Sequence, residues 1–154
     1  MNSWEQADRG DFLYHPYFCE ENIWHLAGDK RFCSQQAKVA LITNPGRQVA
    51  MWQMRASRQD PIFWDYHVVF LCRNTHWQVW DLDCRLGMPL SAETWLSHCF
   101  RSGVVADYAP WFRLVDPSLF RQNFSSDRTH MATVASHPPW PLITNGKTSN
   151  LFCW

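Results

Sequence analysis

The stretch Phe63-Trp64-Asp65-Tyr66-His67-Val68-Val69-Phe70 most constrains the fold. Trp, Tyr, Val and Phe are strand formers. Alternation sets Phe63, Asp65, His67, Val69 and Leu71 on one face and Trp64, Tyr66, Val68, Phe70 and Cys72 on the other. Both faces are largely apolar, so the sequence predicts a strand covered on both sides. A carboxylate and an imidazole inside such a strand need partners, because an unsatisfied buried polar group costs roughly 1–3 kcal/mol. Two readings are open here: a functional site, or a histidine satisfied by backbone and water.

The next residues predict a hairpin. Arg73-Asn74-Thr75 reads as a turn, with His76 to Asp83 as the returning strand. A three-residue turn at 73–75 sets Cys72 opposite His76, Leu71 opposite Trp77, Val69 opposite Val79 and His67 opposite Asp81. A slip of one residue would turn Asp81 to the other face.

Around the hairpin, Cys19 to Gly28 reads as a short helix. Two glutamates in its first turn suit the positive end of the dipole, and Gly28 suits its stop. Val39 to Thr43 reads as a strand, closed by Asn44-Pro45-Gly46, with Gln48 to Met54 as its hairpin partner. Ser91 to Phe100 reads as a helix capped by Ser91, with Thr94 where a capping box carries Glu. Pro117 to Phe124 reads as a helix with proline in its first turn. Residues 1–14 read as a loose arm and 125–150 as mostly loop; 101–116 match no template.

The 154 residues are expected to form a single domain. Fourteen basic side chains balance fourteen acidic ones, so no surplus exists to hold a phosphate backbone, and nucleic acid is not an expected partner. No polybasic run suits an anionic membrane surface, and no apolar run approaches the roughly 20 residues of a span. The polar start does not read as a secretory signal. Six cysteines without a CxxC are expected to be reduced thiols, in a cytoplasmic setting with the nucleus also open. The pairs Cys72 with His76 and His98 with Cys99 lack a second pair at finger spacing, so no metal is expected.

A carboxylate beside a histidine orients it and stabilises its protonated form. A cysteine at a helix start has its thiolate favoured by the dipole. Cys19, His67 and Asp81 therefore form a candidate nucleophilic triad, in the chain order of papain-like and transglutaminase-like enzymes. Six cysteines and seven histidines allow many pairings, so structural Cys and His remain the alternative.

Four strings narrow the choice: Phe18-Cys19-Glu20-Glu21-Asn22-Ile23-Trp24, Trp64-Asp65-Tyr66-His67-Val68-Val69, Asp81-Leu82-Asp83, and Asn123-Phe124-Ser125-Ser126-Asp127-Arg128-Thr129-His130-Met131. Together, and in this order, they resemble the protein N-terminal glutamine amidohydrolase family from about Tyr17 to Pro141. The resemblance puts the family's nucleophile on Cys19, its histidine on His67 and its acid on Asp81. It implies an α+β fold of papain- and transglutaminase-like type, an antiparallel sheet with the nucleophile-bearing N-terminal helix packed on it. It also implies deamidation of the N-terminal Gln of proteins or peptides for an N-degron pathway, with no cofactor; a monomer is expected besides. Restriction to a free N-terminus calls for an acceptor of the α-ammonium, with Glu21, Asp65 and Asp127 as candidates. Their ordinary alternatives are a helix-dipole acid, a hydrogen bond behind the site, and a partner for Arg128. Relative to the family the chain stops early, at Trp154, so an edge of the fold or pocket is expected to be missing; 101–122 matches poorly. A papain-like peptidase, a transglutaminase and an inactive N-terminus-binding module are the rival readings.

Overall fold

Alternating apolar residues put an antiparallel sheet at the centre of the molecule. The structure, a computed structural model, describes residues 12–32, 35–129 and 136–145. The strands are β1 (Gln36–Thr43), β2 (Val49–Met51), β3 (Ile62–Trp64), β4 (His67–Arg73), β5 (Trp77–Trp80), β6 (Leu90–Ser91) and β7 (Trp111–Val115). Three helices, α1 (Cys19–Ala27), α2 (Ala92–Cys99) and α3 (Pro117–Asn123), complete a mixed α and β architecture. The main sheet runs β6-β5-β4-β1-β7 with every neighbour antiparallel, while β2 and β3 form a separate two-stranded sheet.

Period-two alternation gives the main sheet two buried faces. Val39 and Leu41 of β1 and Val68, Phe70 and Cys72 of β4 share a core with Ile23 and Leu26 of α1 and Phe120 of α3. The alternate residues Ala40, Ile42, Val69 and Val79 share a second core with Met51, Trp95 and Cys99. Burying one such side chain contributes about 1.5–3 kcal/mol, so the first of these cores holds α1 against β4.

The three helices follow the sequence reading. Ser91 Oγ accepts from the Thr94 N–H at 3.1 Å and caps α2, and Pro117 opens α3. Gly28 follows α1, but with φ −91° it is no left-handed stop. A Cβ there would meet the Arg121 guanidinium, so any larger residue must displace that side chain.

Several expectations are corrected. The stretch 63–70 is not one strand, for it breaks at Asp65 and Tyr66, and Phe63 and Trp64 belong to the smaller sheet. Two hydrogen bonds hold the break, one local and one distant: Asp65 Oδ1 accepts from the Tyr66 N–H at 2.9 Å, and Thr43 Oγ1 donates to the Asp65 carbonyl at 2.8 Å. Residues 49–51 pair with β3 and not with β1, whose two edges are taken by β4 and β7. The hairpin turn is 74–76, closed by Asn74 N–H donating to the His76 carbonyl at 3.2 Å. Leu71 therefore opposes Val79, Cys72 opposes Gln78, and β5 ends at Trp80. The segment left unassigned holds β7, an exposed edge strand. Of the arm, residues 1–11 lie outside the described residues, as do Cys33, His130 and residues 146–154. Phe12 is not loose: its ring meets that of Trp80 edge-on at 5.4 Å. Among the described residues no helix is long and apolar enough to cross a membrane.

Candidate active site

The start of α1, the first residue of β4 and the chain after β5 converge at one end of the sheet. Asn22 builds the approach. It is buried, its Oδ1 accepts from the His15 N–H and its Nδ2 donates to the His15 carbonyl, both at 2.9 Å. Tyr17 then turns with φ +70°, a left-handed conformation that is strained for a residue with a side chain. That turn delivers the buried Phe18 and Cys19 to the helix start. Phe18 at the N-cap offers no side-chain acceptor, and in the first turn the Glu20 carboxylate accepts from its own backbone N–H.

His67 is fully buried, and its Nε2 is 2.9 Å from Asp81 Oδ1. Asp81 is held in turn by the Asp83 N–H at 3.1 Å and by Trp95 Nε1, which donates to Oδ2 at 3.0 Å. The contact does not arise from the expected direct opposition. The two-step shift in opposed pairs preserves the face, and the imidazole reaches Asp81 beyond the end of β5. The Trp64 ring stacks on His67 at 5.3 Å with 7° between planes. His67 Nδ1 is buried without a hydrogen-bond partner among the described residues.

Cys19 Sγ lies 3.5 Å from Glu20 Oε2 and accepts from the Val68 N–H, beside His67. Burial pushes this thiol well above its ordinary range, and the charges of Glu20 and Asp83 push the same way. The dipole-favoured thiolate expected from the helix start is thus corrected: low polarity and two nearby carboxylates outweigh it. Burial also raises the Glu20 carboxyl, despite a hydrogen bond from Tyr66. At His67 burial opposes the charge, but Asp81 overcomes it and leaves the imidazole above its usual range. Burial likewise opposes ionisation of Asp81, yet His67, Trp95 and the Asp83 amide hold it below the usual carboxylate range.

Two cavities open here. One, of about 50 Å³, is lined by Tyr17, Cys19, Glu20, Trp64, Asp65, Tyr66 and Asp83. The other, of about 190 Å³, is lined by Tyr14, Pro16, Tyr17, Arg55, Ala56, Trp64 and Asp83.

The other candidates take different places. Asp65 sits exposed at the rim of the smaller cavity. Glu21 is spent elsewhere: it accepts from Arg128 at 2.7 and 2.9 Å and from Trp140 at 3.0 Å, tying residues 128–140 to α1. Asp127 accepts from the Thr129 N–H and hydroxyl in a local turn. Sequence reasoning missed Glu20, Asp83, Tyr14 and Trp95. Only Asp83 left a signal, as the second acid of Asp-Leu-Asp. His67, Asp81 and Asp83 each offer one metal-ligand atom, all within 4.8 Å of one another. Those atoms are already knit by the hydrogen bonds above and by Tyr14 Oη, which donates to Asp83 Oδ1 at 2.8 Å.

The family model described as N-terminal glutamine amidase matches residues 14–154. The human protein N-terminal glutamine amidohydrolase is 30% identical over 148 residues, covering 87% of this chain and 72% of that protein. The Arabidopsis thaliana protein of that name is 32% identical over 157 residues, covering 88% and 70%. That of Caenorhabditis briggsae is 28% identical over 149 residues, covering 90% and 80%.

Proposed function

The chain belongs to the N-terminal glutamine amidase family, and from that premise we propose how its residues hydrolyse the side-chain amide of an N-terminal glutamine to glutamate and ammonia. Cys19 is the nucleophile, His67 the proton carrier and Asp81 its orienting acid. The observation that carries this reading is the division of His67: Nε2 is committed to Asp81, while Nδ1 is buried without a partner among the described residues, and the amide of the next residue, Val68, donates to the Cys19 sulfur.

The thiol swings from Glu20 to Nδ1 and gives up its proton as sulfur bonds to the amide carbon. The developing oxyanion is held by backbone N–H at the start of α1, that of Cys19 above all. Collapse breaks the C–N bond, and His67 passes the proton to the departing ammonia. A thioester remains. His67 then takes a proton from water, whose oxygen attacks the thioester, and the proton returns to sulfur as glutamate leaves. Because the resting thiol is not acidic, attack waits on this proton transfer. A sheet carrying α1 with the nucleophile at its start also supports a papain- and transglutaminase-like reading of the fold.

Incubation with a Gln-initiated peptide, followed by mass spectrometry and ammonia detection, tests the reading. Exchange of NH2 for OH with the chain intact is expected. Cys19→Ala should lower the rate at least about 1000-fold while far-UV circular dichroism stays native. Peptide-bond cleavage, or full activity of Cys19→Ala, would defeat it.

A further inference from the structure

The geometry points to Asp83 as the acceptor of the substrate's α-ammonium, its carboxylate standing on the wall shared by the two cavities beside Cys19. The assignment rests on the amidase reading and supplies what that reading leaves open, the basis of restriction to a free N-terminus.

Three carboxylates border the smaller cavity: Glu20, Asp65 and Asp83. The ammonium nitrogen of a glutamine is four bonds from its amide carbon, about 5 Å at full stretch. Glu20 is too near the reacting atom, with Oε2 at 3.5 Å from Sγ. Asp65 is exposed, its Oδ1 is used by the Tyr66 N–H, and water screens charge at such a rim. Asp83 meets the requirements left over. It is 6% exposed, and Tyr14 fixes it at 2.8 Å while a carboxylate keeps further acceptor capacity. It borders both the cavity that contains Cys19 and the one that does not. The remaining shared walls are Tyr17 and Trp64, in edge-to-face contact at 6.4 Å, and aromatic faces favour a neighbouring cation. A glutamine with its ammonium on Asp83 extends its amide to Cys19, and its chain leaves through the larger cavity past Tyr14 and Arg55. A blocked or internal glutamine lacks the cation and cannot make this charge-assisted contact, which disfavours it.

The test compares ammonia release from a Gln-initiated peptide with release from its des-amino counterpart, in which hydrogen replaces the α-amino group. The intact chain should favour the free amine by roughly 10- to 100-fold in kcat/KM, the value of one hydrogen bond to a charged group. Asp83→Asn should abolish most of that preference, mainly through KM on the free amine. Tyr14→Phe, which loosens the same carboxylate, should narrow it less; if Asp83→Asn does not fold, an unchanged ratio in Tyr14→Phe overturns the assignment. It also falls if Asp83→Asn keeps the preference or slows both peptides equally, or if Asp65→Asn abolishes the preference instead. An unvaried chain that works equally on both peptides overturns the assignment and leaves the amidase reading standing. Failure on both peptides overturns the two together.

Discussion

Replacing Asp81 by Asn keeps the side chain's shape and removes the charge that overcomes burial at His67. In the mechanism proposed above, the reactive pair must hold one proton, shared between Cys19 and His67. A second proton, on the imidazole, disables it, so the acid limb of kcat/KM follows the raised His67 pKa, above the ordinary value of 6.5. Loss of the remaining proton sets the alkaline limb, above the ordinary thiol value of 9.0 because burial and the charges of Glu20 and Asp83 raise Cys19. In Asp81→Asn the imidazole keeps its burial and loses its main opposing charge, so the acid limb should move to lower pH as the maximal rate falls. A pH profile of ammonia release checks this. A limb that stays put would mean that Asp81 does not govern the protonation of His67.

At the scale of elements, α1 and α3 are joined through one arginine. Arg121 Nη1 donates to the Trp24 carbonyl at 2.8 Å, its guanidinium lies 3.7 Å from the centre of the Trp24 ring, and Trp24 Nε1 returns a bond to the Arg121 carbonyl at 3.1 Å. The guanidinium occupies the space where a Cβ on Gly28 would project. The backbone of Gly28 suits alanine, which by itself would gain about 0.4–1 kcal/mol. Gly28→Ala should nevertheless cost about 1–3 kcal/mol, because the added methyl displaces Arg121. In an Arg121→Ala background the same change should be neutral or stabilising. Urea denaturation of the four proteins in this cycle measures the coupling, and additive effects would refute the steric account.

For the molecule as a whole, the exposed edge matters most. β7 ends the main sheet, and its Trp111 and Leu114 are 62% and 58% exposed. The net charge is zero at pH 7, so no long-range repulsion keeps such edges apart. Light scattering should therefore rise with concentration most steeply near pH 7, and Leu114→Lys should suppress the rise. Scattering indifferent to both pH and this substitution would show that the edge is not the sticking point.

The chain by itself determined the three helices, because caps, proline and apolar spacing are local signals between near neighbours. It also determined which face of the sheet His67 and Asp81 share, since parity survives a slip of two residues. Tertiary structure decided the rest. The break at Asp65 depends on a bond from distant Thr43, and β7 becomes a strand by pairing along β1, so neither is visible in a short window. The thiol's environment, the commitment of Glu21 to Arg128 and the approach of Tyr14 to Asp83 all join residues far apart in sequence, and burial sets their electrostatics. Residue order names the groups that can react, whereas the field in which they react exists only once the chain has closed around them.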